Sequence, residues 1–272
     1  MSTNIIKQGV TSIHVDVLQG YSVKCSLNMV SAVDSKGFIR WLDNGYTLDN
    51  YSNSFSIQCE TPKDFEDFLC SDSVDTVAID TSTNTGFHPF GMIFATGQDY
   101  NINIESASNG SEVLLGEVKK YELQAVPAIQ SDIYSNLAIS TTLTGRVEQH
   151  WSIGGVYFPF AKSKNILNKM RFTSQTNGGS TQVVNATRLY GDIAEITVVC
   201  SEEQARRILY FLALTMRGTE QPAIYPLGYN IFGRRYDTTT TCKVRLFSNT
   251  IEIKHAKLDS VEVSFKLQMT GL

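Results

Sequence analysis

The histidines and paired acidic residues are the side chains whose types best suit catalysis or metal binding. His14, His88, His150 and His255 are scattered, and none lies in a motif that would supply a catalytic or metal-binding partner. Each is more typical of a surface or turn position. The pair Glu202-Glu203 falls in the first turn of a predicted helix, where acidic side chains favour the helix dipole and serve capping.

Other chemical motifs are incomplete or missing. The sequence has no GxSxG elbow, no GxxxxGK[ST] phosphate loop and no HExxH pair. Asp72-Ser-Val-Asp75 lacks the further ligands of a calcium loop, and Arg234-Arg235 is more typical of a solvated or interface turn than of an anion site. We therefore predict no catalytic, cofactor-binding or metal-binding residue, and we predict that the protein is not an enzyme.

The five cysteines predict neither a metal site nor a disulfide framework. They form no CxxC pair, and no histidine lies at ligand spacing from them. We interpret them as reduced thiols that act as small apolar residues. They are Cys25, Cys59, Cys70, Cys200 and Cys242.

Composition and charge favour a β-rich protein that does not bind nucleic acid directly and is not inserted in a membrane. Charged residues make up 18% of the 272 positions, and Thr, Ser, Asn and Gly are abundant. The net charge of −4 gives no basic stripe for a phosphate backbone. The sequence contains no apolar run long enough to span a bilayer and begins with a polar segment unlike a signal peptide, which predicts synthesis in the cytoplasm.

An internal repeat predicts how the elements are arranged. Phe55–Cys59 and Ile196–Cys200 each alternate apolar and polar residues, as half-buried strands do. Each strand leads into a helix, the first predicted to begin at the N-cap Thr61 before Pro62, and the second at the capping box that starts with Ser201. The apolar helix faces are predicted to be Phe65, Phe68 and Leu69 in the first half, and Ala205, Ile208, Leu209 and Leu212 in the second.

Matching features follow each helix. An aromatic-Pro-apolar-Gly turn is predicted at 88–91 and again at 225–228, with His in the aromatic place of the first. Alternating strands at 100–104 and 243–247 precede Ser-Asn turns predicted at 108–109 and 248–249. The closing strands are Tyr121–Gln124 and Phe265–Gln268.

These features predict a mainly β protein with minor α content. We expect two antiparallel β-sandwich or roll domains with one packed helix each, at residues 1–126 and 181–272. Residues 127–180 are too many for a linker and are predicted to form an inter-domain insertion or arm together with early strands of the second domain.

The second half resembles the tail-tube, distal-tail and baseplate-hub proteins of tailed bacteriophages. The resemblance rests on the capped helix after a strand, the turn Tyr225-Pro226-Leu227-Gly228, the strand Val244-Arg245-Leu246 and the closing S-F-K-L-Q strand at 264–268. It is clearest over 200–268, and the first half resembles the family only through the internal repeat. Residues 127–180 are not a family feature, and neither a lysozyme or peptidase insert nor an iron–sulfur cysteine cluster is present.

The resemblance implies a structural virion protein that forms or caps a ring at the tail tube or baseplate. Tube domains contribute strands to a continuous β-barrel with six domains around a lumen through which the genome passes. Two such domains in one chain imply a trimeric ring with pseudo-sixfold symmetry, whereas one ring domain with an outer domain implies a hexamer. The implied partners are copies of the chain, adjacent tail-tube and baseplate or fibre proteins, and passing DNA that is not bound specifically.

A second class of function fits the β-rich sequence. A β-sandwich carbohydrate-binding module or host-receptor adhesin would use exposed aromatic residues as stacking platforms, here Trp41, Trp151 and Tyr157. Trp41 lies in a segment, Phe38 to Leu42, that is typical of strand core. Saturable binding of oligosaccharides would favour this alternative.

Overall fold

A computed structural model gives the fold, which is mainly β, with two α-helices and one large antiparallel sheet among the described residues. The sequence-based prediction of the fold class is therefore confirmed. The structure describes residues 3–8, 11–33, 35, 39–71, 77–80, 99–114, 118–127, 150–167, 170–177, 180–188, 193–216, 218–226, 229, 231–232, 241–247, 250–257 and 260–271.

The first half of the described chain forms six strands and one helix, which we call unit one. In chain order these are β1 (Thr3–Gln8), β2 (Thr11–Val33), β3 (Ile39–Cys59), α1 (Pro62–Leu69), β4 (Val77–Asp80), β5 (Asp99–Leu114) and β6 (Val118–Pro127). Each strand pairs with the next in the circular order β1-β4-β5-β6-β3-β2-β1, always antiparallel. The sheet of unit one therefore closes on itself around its core.

The described residues of the second half form ten strands and one α-helix, which we call unit two. They are β7 (His150–Ile153), β8 (Val156–Pro159), β9 (Ala161–Leu167), β10 (Met170–Asn177), β11 (Ser180–Arg188), β12 (Ile193–Ser201), α2 (Glu202–Tyr210), β13 (Gln221–Ile224), β14 (Thr241–Leu246), β15 (Thr250–Lys257) and β16 (Ser260–Gly271). Only Phe160 separates β8 from β9, so the two form one bent strand. The order β7-β13-β14-β16-β12-β9, with β8 returning to β7, also closes.

The two units share one pairing scheme. In each, a strand that leads into a helix pairs antiparallel with the closing strand, through Ile57 and Tyr121 in unit one and Ile196 and Phe265 in unit two. The closing strand then pairs with β5 in unit one, and with β14 and β15 in succession in unit two. In unit two, the hairpin β10–β11 comes directly after β9 in the sequence. In unit one, the end of the long β2–β3 hairpin that contains the turn comes at the equivalent place.

Alternating burial explains the strands that the sequence predicted. Phe55, Ile57 and Cys59 are buried on β3 while Ser54 and Ser56 face outward, and β12 and β16 alternate in the same way. The buried side chains of both units form one contiguous cluster. Its largest fully buried members are Trp151, Tyr121, Phe65, Phe158 and Ile57.

Both helices pack with the faces that the sequence predicted, but their first turns differ. Phe65 and Phe68 are buried on α1, as are Ala205, Ile208, Leu209 and Leu212 on and after α2. The hydroxyl of Ser201 accepts a hydrogen bond from the backbone N–H of Gln204 at 3.2 Å. Thr61 occupies the predicted N-cap position of α1 but makes no side-chain capping bond, so the hydroxyl cap predicted there is wrong.

Helix α2 continues into a π-helical segment at Phe211–Met216, after which Gly218 adopts a left-handed φ of 75°.

The Ser-Asn turn predicted at 108–109 is wrong, because both residues lie within β5 opposite Glu122 and Tyr121. A register irregularity just beyond, between Asn109 and Val113, replaces the turn. The turn at 88–91, residues 227–228 of the second turn, and 248–249 lie outside the described residues.

Candidate assembly surface

The two units are joined by a pair of strands from opposite ends of the sequence. Strand β2 of unit one pairs antiparallel with β15 of unit two over Ser22–Ser26 and Thr250–Lys254. Val23 faces Ile253 in this register, and both are fully buried. The core and the backbone hydrogen bonds of the sheet therefore run from one unit into the other without a break.

A tyrosine and a glutamate reinforce this junction. The Tyr21 hydroxyl donates a hydrogen bond to Glu202 Oε1 at 2.6 Å, although the residues are 181 positions apart in the sequence. Burial, together with this bond, raises the pKa of Tyr21 far above its usual value, so the phenol stays protonated and donates. The Tyr21 ring also lies beside His255, with a centroid distance of 5.6 Å. The sequence pattern marked Glu202 only as a capping residue.

The junction creates a continuous path of eight strands through the chain, in the order β5-β6-β3-β2-β15-β16-β12-β9. The face of this path that turns away from the two cores is polar. Ser56 donates to Glu122 at 2.8 Å, and the Gln124 amide donates to Glu105 at 3.1 Å. Farther along the path, the hydroxyls of Thr197 and Ser264 lie 2.9 Å apart.

The charges on this polar face occur largely as lysine–glutamate pairs. The nitrogen–oxygen distance is 2.9 Å for Lys120 and Glu122, and 3.2 Å for Lys266 and Glu195. Lys162 and Glu262 form a further pair, and Lys254 lies 3.8 Å from Glu252. These exposed pairs contribute little to stability, but they leave the face with almost no net charge.

The eight-strand path ends at two strand edges. Along β5, residues 103–114 pair with β6 on one edge, and within the described chain no strand pairs with their other edge. Strand β9 likewise pairs with β12, and its second edge has no partner strand among the residues described. Edges of this kind can accept another strand by backbone hydrogen bonding.

The three histidines that the structure describes do not converge on a site, and His88 lies outside the described residues. His14 is exposed on β2, His150 is half-buried on β7, and His255 lies on β15 beside Tyr21. His14 lines a cleft of about 560 Å³ that also contains Asp16, Glu60 and Asp64. Within the described residues, no group of three or more His, Cys, Asp or Glu side chains is arranged to hold a metal ion.

The aromatic residues considered as stacking platforms differ in exposure. Trp151 is 1% exposed, stacks on Phe158 and donates from Nε1 to the Pro159 carbonyl at 2.8 Å. Trp151 therefore offers no face to a ligand, which corrects its assignment as a platform. Tyr157 is 36% exposed beside a shallow apolar groove, and the side chain of Trp41 lies outside the described part of the structure.

All five cysteines are free, and four are buried as small apolar residues. Burial raises the pKa of the Cys200 thiol to about 12 and that of the Cys242 thiol to about 11, so both stay protonated and unreactive. Cys70 is exposed at the end of α1, and the prediction of an apolar role is wrong for this residue.

The remaining sequence motifs contribute no described site. Asp72-Ser-Val-Asp75 and Arg234-Arg235 lie outside the described residues. No helix in the described part of the chain is long and apolar enough to cross a membrane. Comparison with protein-family models and with curated proteins returns no match to the chain.

Proposed function

We propose that the protein is a structural component of a tailed-phage virion that assembles into a ring at the tail tube or baseplate. The observation that carries this proposal is the junction between β2 and β15, which joins two units of identical pairing scheme edge to edge. Repetition of such a head-to-tail contact between chains generates a ring when the rotation closes. The same role would place the mature protein in the virion tail.

Strand geometry favours three chains in the ring. Each chain supplies eight strands to the continuous path. With strands about 4.8 Å apart and tilted by about 40°, three chains would close a barrel about 48 Å across between backbones, and six would close one about 95 Å across. Side chains narrow the smaller barrel by about 10 Å, which still leaves room for a DNA duplex. The larger barrel would leave most of its lumen empty.

The polar face suits the lumen of such a ring. Its lysines are balanced by neighbouring glutamates, as in the pairs Lys120–Glu122 and Lys266–Glu195. A face without excess positive charge would not retain a passing phosphate backbone by counterion release. DNA would therefore move along this surface without being bound specifically.

Light scattering across a concentration series, followed by negative-stain imaging, tests the proposal. We expect ring-shaped particles with a central hole and a mass of three chains. Six chains in a ring would retain the ring function but contradict the strand geometry above. A protein that stays monomeric at all concentrations, and also in the presence of a tail-tube template, would contradict the ring function itself.

Carbohydrate binding is the second candidate, supported by the exposed Tyr157 beside its groove of about 380 Å³. Stacking of a sugar on Tyr157 would quench or shift the emission of the nearby Trp151 in a saturable manner. Replacing Tyr157 with alanine would abolish that change. A flat titration with an oligosaccharide panel would exclude this candidate.

A further inference from the structure

The strand edges of β5 and β9, with the charged residues beside them, define how neighbouring chains would meet. We infer that β9 of one chain pairs with the outer half of β5 of the next chain, and that the acidic surface of α1, formed by Glu66 and Asp67, attracts Lys164 of β9 across this contact. This inference rests on the proposed ring and specifies its contact surface.

Strand register identifies the equivalent edges. Ile253 of β15 lies opposite Val263 on the closing strand, and Val113 of β5 lies opposite Lys119 at the equivalent place. Tyr21 of β2 lies opposite Phe55, and Ile166 of β9 lies opposite Ala194 in the same way. β5 is therefore equivalent to β15, and β9 is equivalent to β2. A pairing of β5 with β9 like that of β15 with β2 would join two different chains.

Burial differs between the equivalent strands as this arrangement requires. On β2, Tyr21 directly precedes the segment that pairs with β15, and it is buried. On β9, residues 162–165 are exposed and Ile166 is only half-buried. An apolar residue at the position of Tyr21 would meet Pro62, which takes the place that Glu202 has in the other helix. The hydrogen bond of the junction within the chain would thus be replaced by an apolar contact between chains.

The two helices also differ in charge at equivalent positions, which are basic on α2 and acidic on α1. Arg206 of α2 lies close enough to Tyr21 to influence its pKa, so this helix position faces the partner strand. The equivalent position of α1 is Glu66, and the next position changes from Arg207 to Asp67. Glu66 and Asp67 are exposed.

Strand β9 carries the opposite charge near the residue that would face α1. Lys162 and Lys164 are exposed, and Lys164 lies two residues before Ile166 on the same side of the strand. Within their own chain, Lys162 pairs with Glu262, and the ammonium of Lys164 lies 5.8 Å from the Tyr229 ring centroid. Lys162 lies with Glu262 on the polar face, whereas Lys164 remains at the strand edge, where an incoming acidic helix can reach it.

Charge reversal of the full chain tests the inference. Light scattering should show that Lys164→Glu, and separately Asp67→Arg, raise the concentration for half-maximal ring formation by at least about tenfold. Asp67→Arg leaves the contacts of Glu66 with Lys119 and Tyr121 in place. Lys243→Glu, an equal charge change at an exposed position of β14, is the matched control and should have no effect.

The double variant Lys164→Glu with Asp67→Arg should recover most of the lost assembly, because the opposite charges are restored with their positions exchanged. Rings that form normally in both single variants would overturn the inference while leaving the ring function intact. Loss in both single variants without recovery in the double variant would show that the two surfaces do not face each other. A wild-type chain that forms no rings would overturn the proposed function and this inference together.

Discussion

Helices α1 and α2 occupy equivalent places in the two units but meet different surroundings. Helix α2 lies against β2 of the other unit through Glu202 and Tyr21, and the side chains of Glu202, Arg206 and Arg207 are half-buried. Helix α1 makes its polar contacts within its own unit, where Glu66 accepts from Lys119 at 2.6 Å and from Tyr121 at 2.9 Å. One pairing scheme thus supports a covered junction in unit two and an exposed acidic surface in unit one.

The largest expected effect tests whether the junction makes the two units unfold together. Phe158→Ala removes a fully buried ring that contacts Trp151 and Phe265, and should lower the free energy of unfolding by about 3–5 kcal/mol. Phe65→Ala is the matched change in unit one. Both variants should shift one shared urea transition, followed by circular dichroism and tryptophan fluorescence. Two transitions, each moved by only one variant, would show that the junction does not couple the units.

The next effect tests the hydrogen bond across the junction. Tyr21→Phe removes the donor to Glu202 and should lower the free energy of unfolding by about 1.5–3 kcal/mol, because the acceptor is charged. Amide hydrogen exchange should rise at Val23 and Ile251. Tyr121→Phe, which removes a similar bond inside unit one, is the control and should leave those two amides protected. Equal exchange rates at Val23 and Ile251 in the two variants would show that the Tyr21 hydrogen bond does not specifically stabilise the junction.

A smaller effect separates the two helix starts. Ser201→Ala removes a capping bond and should lower the free energy of unfolding by about 1 kcal/mol. Thr61→Ala removes a hydroxyl that makes no capping bond, and the same urea experiment should show a change of only a few tenths. A large cost at Thr61 would contradict the difference between the two first turns.

The smallest expected effect is a change in how the stability of the fold depends on pH in the acidic range. Hydrogen bonds from Lys119 and then Tyr121 lower the pKa of Glu66. A lowered folded-state pKa adds stability above the unfolded-state pKa, and this stability is lost as the pH falls through the folded-state pKa. Melting temperatures measured from pH 6 to about pH 3 should therefore fall slightly more steeply in the wild type than in Glu66→Gln. Identical slopes would show that Glu66 contributes nothing to this dependence.

Local patterns in the sequence predicted the local structure well. The alternation of Phe55–Cys59, the apolar face of α1 and the capping box at Ser201 each identified an element, because these signals act over a few residues. The turn at 108–109 was predicted wrongly, since a bulged strand and a turn favour similar small polar residues.

The junction between the units had no local signal that could reveal it. Strands β2 and β15 alternate apolar and polar residues like any half-buried strand. Neither segment contains a pattern that predicts pairing with a strand so distant in the sequence. For the same reason Glu202 was identified only as a cap, and its bond with Tyr21 was missed. The proposed division into domains at 1–126, 127–180 and 181–272 stays a prediction.

The pairing of β2 with β15 also has a consequence for the order of folding during translation. All six strands of unit one precede residue 128, so that unit can close while unit two is still being synthesised. The edge of β2 at 22–26 then waits for the roughly 130 residues up to β15, about 6–25 s at common elongation rates. Lys24 is exposed at the centre of that edge, where a charged side chain discourages pairing with a foreign strand. The lysine would protect the nascent chain from aggregation until its own partner strand emerges from the ribosome.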